Sequence, residues 1–326
     1  MEALPDARAG DGEVEWVCKL IQEGKCDNVK AIVASVNLAE DDVNRVEEEL
    51  IKVCKASLLL GRRSEEEEEE DVGLVVGVRW ICDYVGPYTM DNATHVATTR
   101  CYPNGVDYLR SMSRSSGDGG NGENVDASIK FERGFALLEK FGLSFDLQCA
   151  PEQLPAAALL FAKYPNIPVC IDHLGKPMMV LGSGNDDNKN SVPNAGKLKV
   201  WKDGLRRMAM LSHVYIKISM LGWAVPGWWR IKDRELVMRD LVREVVTMFG
   251  ADRVMVGSNW HGDAGCSDND GLDNNGGPSA SELITKVSLF FVDDDGKSLI
   301  SREDRERIFS KTAQSFYDTK RRRKVK

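Results

Sequence analysis

Apolar positions along this chain fall by turns into helical stripes and short continuous runs. Trp16, Val17, Leu20 and Ile21 share one helical face within 13–23, and Gly24 closes that helix. Residues 29–36 (VKAIVASV) read as a strand. Asp41 or Asp42 then caps a helix with Val43, Val46, Leu50 and Val53 on one face. Residues 74–78 (LVVGV) form the next strand, followed by Arg79. The stripe Phe131, Phe135, Leu138 predicts a helix ending at Gly142, and strand 143–149 (LSFDLQC) leads into a helix with a proline before its first turn. In 167–177 (IPVCIDHLGKP) a strand built on Ile167, Val169, Cys170 and Ile171 ends in Asp172-His173; then come helix 197–211, strand 213–219, helix 233–249, strand 253–260, and two closing helices, 279–291 and 301–317.

Strands alternating with amphipathic helices predict an α/β fold with a parallel sheet and right-handed crossovers. Six strand–helix units can be counted in one domain over 13–318. Four polar segments interrupt it, at 61–71, 113–124, 182–196 and 263–278, and flexible tails are expected at 1–12 and 319–326. The first insertion carries the glutamate run 65–70, which reads as a solvated face.

Polar residues gather where the apolar runs end: Arg79, Gln148, Asp172, His173, Lys217, Ser219 and Asn259. In a parallel α/β protein those ends form one rim, where ligands bind. Asp172 follows a buried run and immediately precedes His173, so alternation sends the two to opposite faces, with Asp172 expected to bond nearby backbone. Lys217 and Ser219 share a face with Tyr215, and Asp146 shares that of Gln148.

Composition narrows the picture. The chain has 326 residues, 42% of them hydrophobic and 29% charged, ordinary for a globular protein. Its net charge of −8 excludes a global nucleic-acid footprint, and no apolar run approaches the ~20 residues that span a bilayer. The eight cysteines include no C-x-x-C pair, which fits a reducing, cytoplasmic setting. The partner expected is a small-molecule substrate, with neither nucleic acid nor membrane. The basic end KRRRKVK (320–326) reads as a solvated tail.

Several ordered stretches together resemble the amidohydrolase-related family of TIM-barrel hydrolases, which includes sugar lactonases: 131–148, 151–177, 214–223, 249–260 and 306–318, with weaker similarity at 27–41 and 75–80. The resemblance implies a TIM-barrel-like fold with six of eight strand–helix units, the first two absent. It implies that His173 ligates a metal or orients the substrate carbonyl, and that Arg79 holds a substrate carboxylate in a bidentate fork. It places Asn259 where the family usually has the aspartate that activates water, with Asp263 as a substitute carboxylate. Gln148, Lys217 and Trp260 complete the expected substrate contacts.

The chain also departs from that family. No His-x-His pair precedes residue 13, so a zinc-like divalent metal is expected only if ligands exist outside this sequence. Of the other histidines, His213 opens its strand at the far end, His95 lies in a polar stretch, and His261 stands where the family has proline. Two absent strands would expose sheet edges, to be covered by a second copy or a partner chain. The expected activity is hydrolysis of a lactone or similar ester-type bond of a carboxylated or sugar-derived molecule. The competing expectation is a non-catalytic binding protein or subunit built on a barrel remnant.

Overall fold

The computed structural model describes residues 10–60, 73–84, 107–109, 122–177, 193–225, 227–260, 278–293 and 295–318. Among them lie six strands: β1 (Ile32–Ser35), β2 (Val75–Ile81), β3 (Ser144–Gln148), β4 (Val169–Ile171), β5 (Val214–Ile218) and β6 (Val254–Val256). They hydrogen-bond in sequence order, β1-β2-β3-β4-β5-β6. The β1/β2 and β5/β6 ladders are parallel, with Ser35 opposite Arg79 in the first and Lys217 opposite Met255 in the second. Helix α1 (Gly10–Gln22) precedes β1, and between the strands lie α2 (Val43–Ala56), α3 (Gly122–Phe141), α4 (Leu154–Phe161), α5 (Ala195–Ala209), α6 (Leu221–Ala224) and α7 (Lys232–Phe249). After β6 come α8 (Ala280–Leu289), α9 (Arg302–Glu306) and α10 (Thr312–Phe316). This is the α/β architecture the alternating pattern predicts, in the sequential strand order of a TIM-barrel-like fold.

Several element ends differ from the pattern. Helix α1 starts at Gly10, inside the expected tail, and α3 at Gly122, inside an expected insertion. Helix α5 starts at Ala195 because Asn194 caps it, its side chain accepting from Lys197 N at 3.0 Å. Strand β2 runs on through Arg79 to Ile81, so Arg79 lies within the strand rather than after it. The last strand stops at Val256, well short of residue 260.

The chain divides into two compact units. The first comprises 1–147, 159–169 and 315–326, the second 148–158 and 170–314. The first unit is built on an aromatic core in which Phe131 and Phe135 of α3 meet Phe145 of β3 edge-on, at centroid distances of 5.8 and 5.4 Å. Phe161 packs on both Phe135 and Phe145, and Tyr164 meets Phe135 edge-on. Strands β2 and β3 approach closely at Gly77, where a Cβ would lie 2.3 Å from Ser144 Oγ. Asp146, which shares the face of Gln148, is buried and accepts the Tyr317 hydroxyl at 2.9 Å on both carboxylate oxygens, a structural tie.

The second unit packs α5 and α7 on β5 and β6 around Trp201, Leu205, Met208, Val242 and Val245, all fully buried. Arg253, just before β6, gathers the carbonyls of Phe249, Ala209, Leu211 and Val214 at 2.9–3.2 Å. Phe249 and Ala209 end helices and Val214 starts β5, so one guanidinium ties two helix ends to a strand start, opposite the strand tips. Helix α8 begins with a capping box between Ser279 and Glu282.

Candidate functional site

The site is built at the tips of β4, β5 and β6, all within the second unit. Strand β4 ends at Ile171, and Asp172 is still extended. His173, Leu174, Gly175 and Lys176 then all take positive φ, at 56°, 55°, 68° and 51°. Their single left-handed turn is closed by Gly175 N to Asp172 O at 3.0 Å and Lys176 N to His173 O at 2.8 Å. Only Gly175 adopts this backbone freely, and a Cβ there would meet Leu205 Cδ2 at 2.9 Å. Each non-glycine residue costs about 1–2 kcal/mol in this region. Such strain persists only where surroundings over-determine it, and it clusters at functional sites.

Three side chains supply that constraint. Trp201 of α5, fully buried, donates its indole N–H to Leu174 O at 2.7 Å. Lys217 Nζ of β5 donates to Asp172 Oδ1 at 2.9 Å. Ser219 Oγ lies 2.9 Å from His173 Nδ1. Asp172 and His173 thus both reach β5 although they are sequence neighbours. The left-handed backbone at His173 ends the strand's alternation, which overturns the expectation that Asp172 bonds backbone on the opposite face.

The same device recurs on the adjacent strands. Met220, directly after Ser219, has φ 54°, and Asn259, three residues beyond β6, has φ 35°. Asparagine is among the few L-residues that tolerate this region, so Asn259 suits the backbone whatever its chemistry. Gly257 N continues the ladder to Ile218 O at 3.0 Å, and a Cβ at Gly257 would lie 3.5 Å from Ser219 Cβ and 3.9 Å from Lys217 Cδ. The tip of β6 therefore packs directly against the Lys217–Ser219 face.

The remaining predicted residues fall as follows. Gln148 is fully buried at the end of β3. Trp260 is 44% exposed and donates its indole N–H to Pro278 O at 2.7 Å. Arg79 is half-buried in β2, in the first unit. Burial pushes the Glu13 carboxyl above its usual range, and positive charge, that of Arg79 included, opposes the rise. Asp263, His95 and His261 lie outside the described residues. A cleft of about 510 Å³ between α8 and the C-terminal helices, lined by Thr285, Ser288, Arg302 and Arg305 among others, contains none of the candidates.

A metal finds no fit here. Among the described residues no group of three or more His, Cys, Asp and Glu could hold an ion. His173 has Nδ1 engaged with Ser219, and Asp172 has one oxygen engaged with Lys217.

Similarity to known proteins agrees with the sequentially ordered parallel strands. An amidohydrolase family model, Amidohydro_2, covers residues 7–319. The chain belongs to the amidohydrolase family. An amidohydrolase from Burkholderia multivorans has this family member's fold: its crystal structure with HEPES bound gives a TM-score of 0.58 at 20% identity, covering 95% of this chain and 80% of that one. A zinc-bound crystal form of that protein gives 0.57 at 19% identity, with the same coverage. Among curated proteins, the uncharacterized protein y4mH of Sinorhizobium fredii is 26% identical over 197 residues, 60% of this chain and 54% of that protein. An L-fucono-1,5-lactonase of Burkholderia ambifaria is 29% identical over 118 residues, 36% of this chain and 34% of that protein. The chain thus spans about half the length of the first of these relatives, and less of the second.

Sequence reasoning placed His173, Lys217 and Ser219 on one rim but did not pair them. It also missed Trp201 as the residue that holds the turn. The signal for the pairing was present: Lys-x-Ser at period two on one strand, beside a neighbouring strand ending in Asp-His. No signal marked Trp201, whose indole looks like any core side chain of a helix stripe.

Proposed function

We propose that this protein hydrolyses a lactone or similar ester-type bond of a small carboxylated or sugar-derived molecule at the tips of β4, β5 and β6. The observation that carries the reading is the concentration of left-handed, non-glycine backbone there, at His173, Leu174, Lys176, Met220 and Asn259, around the His173–Ser219 and Asp172–Lys217 contacts. Family membership and the partial similarity to L-fucono-1,5-lactonases support the choice of bond.

In this reading His173 polarises the lactone carbonyl and stabilises the oxyanion formed as water adds. The ring C–O bond then breaks, and the leaving alkoxide takes the proton that the base drew from the water, giving the open hydroxy acid. Asn259 has no basicity to offer, so its carboxamide orients the water or a substrate hydroxyl. Asp263 is the carboxylate proposed to take the water's proton. Lys217 is held by Asp172 and presents a cationic edge, while Gln148 and Trp260 are proposed to hold the substrate. Arg79 belongs to the other unit, and its role toward a substrate carboxylate is a separate proposal. No step is routed through a metal.

The test is a pH-indicator assay of the purified chain against a panel of aldonolactones, L-fucono-1,5-lactone included, and 2-pyrone-4,6-dicarboxylate. Hydrolysis well above the buffer rate is expected, with a loss of about 100-fold or more in His173→Asn. A wild-type rate equal to buffer, with and without added Zn²⁺, sinks the reading. Asn259, whose carboxamide is no base, would then favour the second reading, a binding protein for the hydroxy acid. That reading predicts a thermal shift with the open acids and no turnover.

A further inference from the structure

We propose that Ser219 is a positioning residue that fixes the neutral His173 ring as the tautomer protonated at Nε2, so that His173 meets its substrate as a hydrogen-bond donor rather than as a base or a metal ligand. The inference rests on the reading of His173 as the group that meets substrate, and deepens it.

The protons available to this pair decide the tautomer. The Ser219 residue is only 4% exposed, and its hydroxyl has one partner among the described residues, His173 Nδ1 at 2.9 Å. A hydroxyl carries a single proton. If Nδ1 carried the ring proton and donated to Oγ, the serine O–H would be buried without an acceptor. In the reverse arrangement the hydroxyl donates to Nδ1, and only an oxygen lone pair is left over, a much cheaper omission. The difference biases the tautomers by about tenfold. The ring proton then resides on Nε2, the nitrogen opposite the tether.

The backbone keeps the hydroxyl in place. The preceding residue, Ile218, is bound through its carbonyl by Gly257 N at 3.0 Å, and the following residue, Met220, is locked at φ 54°. On the other side, the turn that carries His173 is pinned by Trp201 at Leu174 O and by Lys217 at Asp172. Both partners of the hydrogen bond are therefore preorganised, and a ring flip would break it. A donor at Nε2 suits an oxyanion, whereas a metal ligand would need a bare lone pair there.

The test reads the tautomer directly. The chain has four histidines, so a full-length His95→Gln/His213→Gln/His261→Gln variant, labelled with ¹⁵N, leaves His173 alone in a two-bond ¹H–¹⁵N correlation spectrum near neutral pH. The expected pattern is a pyridine-type Nδ1 and a pyrrole-type Nε2. Ser219→Ala should move both nitrogens toward exchange-averaged values, and Ser219→Thr should restore them. A pyrrole-type Nδ1 in the parent, or a Ser219→Ala spectrum identical to the parent's, overturns the proposal. If the triple variant does not fold, the difference between wild-type and Ser219→Ala spectra identifies the same signals. In the lactone assay, Ser219→Ala should lower kcat about tenfold with KM nearly unchanged, and Thr should recover it. A wild-type chain that opens no lactone defeats the proposed function, while the spectrum still decides the tautomer.

Discussion

Asp172 and Lys217 illustrate what a single contact does at this rim. The carboxylate is 1% exposed and the ammonium 19%, so the pair sits largely out of water. Removing one partner of such a pair leaves an uncompensated charge, which costs more than the pair itself contributes. Lys217→Met should therefore destabilise the protein by about 3 kcal/mol, somewhat below the full cost for a completely buried pair because the ammonium end is partly wet. Adding Asp172→Asn to that variant should recover most of the loss. Urea midpoints of the two single variants and the double variant measure this, and additive losses would show that the two groups do not act on each other. The ionisable residues themselves were legible in the sequence, because each interrupts or ends an apolar run. Their pairing was not, because it depends on the positive φ of His173, and in His-Leu-Gly-Lys only the glycine advertises a left-handed backbone.

Elements were legible to the extent that their apolar faces are regular. The stripes of α2, α3 and α7 and the buried runs of β3 and β4 gave those elements their place, since each buries a continuous face. Their ends were less so, being set by caps such as Asn194 and by bends such as the one after Val256. The closing helix, read as one piece over 301–317, contains a π turn at Arg307–Lys311 between α9 and α10, and no break in the apolar stripe marks the extra residue. Helix placement also depends on close approaches that composition does not announce. Gly134 in α3 lies against the backbone after β1, where a Cβ would stand 2.1 Å from Leu38 O, whereas a Cβ at Gly12 in α1 meets nothing within 4 Å. Gly134→Ala must push the helix off that carbonyl and should cost about 2–3 kcal/mol. Gly12→Ala should be neutral or stabilising by about 0.5 kcal/mol, through helix propensity alone. Thermal or urea unfolding of the two variants tests the contrast, and equal effects would mean that α3 does not rest on Leu38 as described.

At the scale of the whole molecule, the α/β class and the parallel sheet followed from the alternation of buried runs with amphipathic helices, while the sequential strand order followed from the family resemblance. Net charge adds something the fold does not. A chain at −8 repels anions at long range, and that repulsion is screened as ionic strength approaches physiological values. Lys217, a cation at the candidate site, has its charge countered by Asp172 and offers little local attraction to offset the global field. If the proposed substrate is a neutral sugar lactone, kcat/KM should stay flat between about 0.01 and 0.15 M salt, because nothing charged is being steered. A dicarboxylate lactone should instead react faster as salt rises, by a few-fold, as the repulsion fades. Measuring both substrates across that range separates the two classes by physics rather than by rate alone. A dicarboxylate rate that falls with added salt would reverse the argument, since it requires a cation at the site strong enough to outweigh the net charge, and Arg79 would then be the residue to replace first.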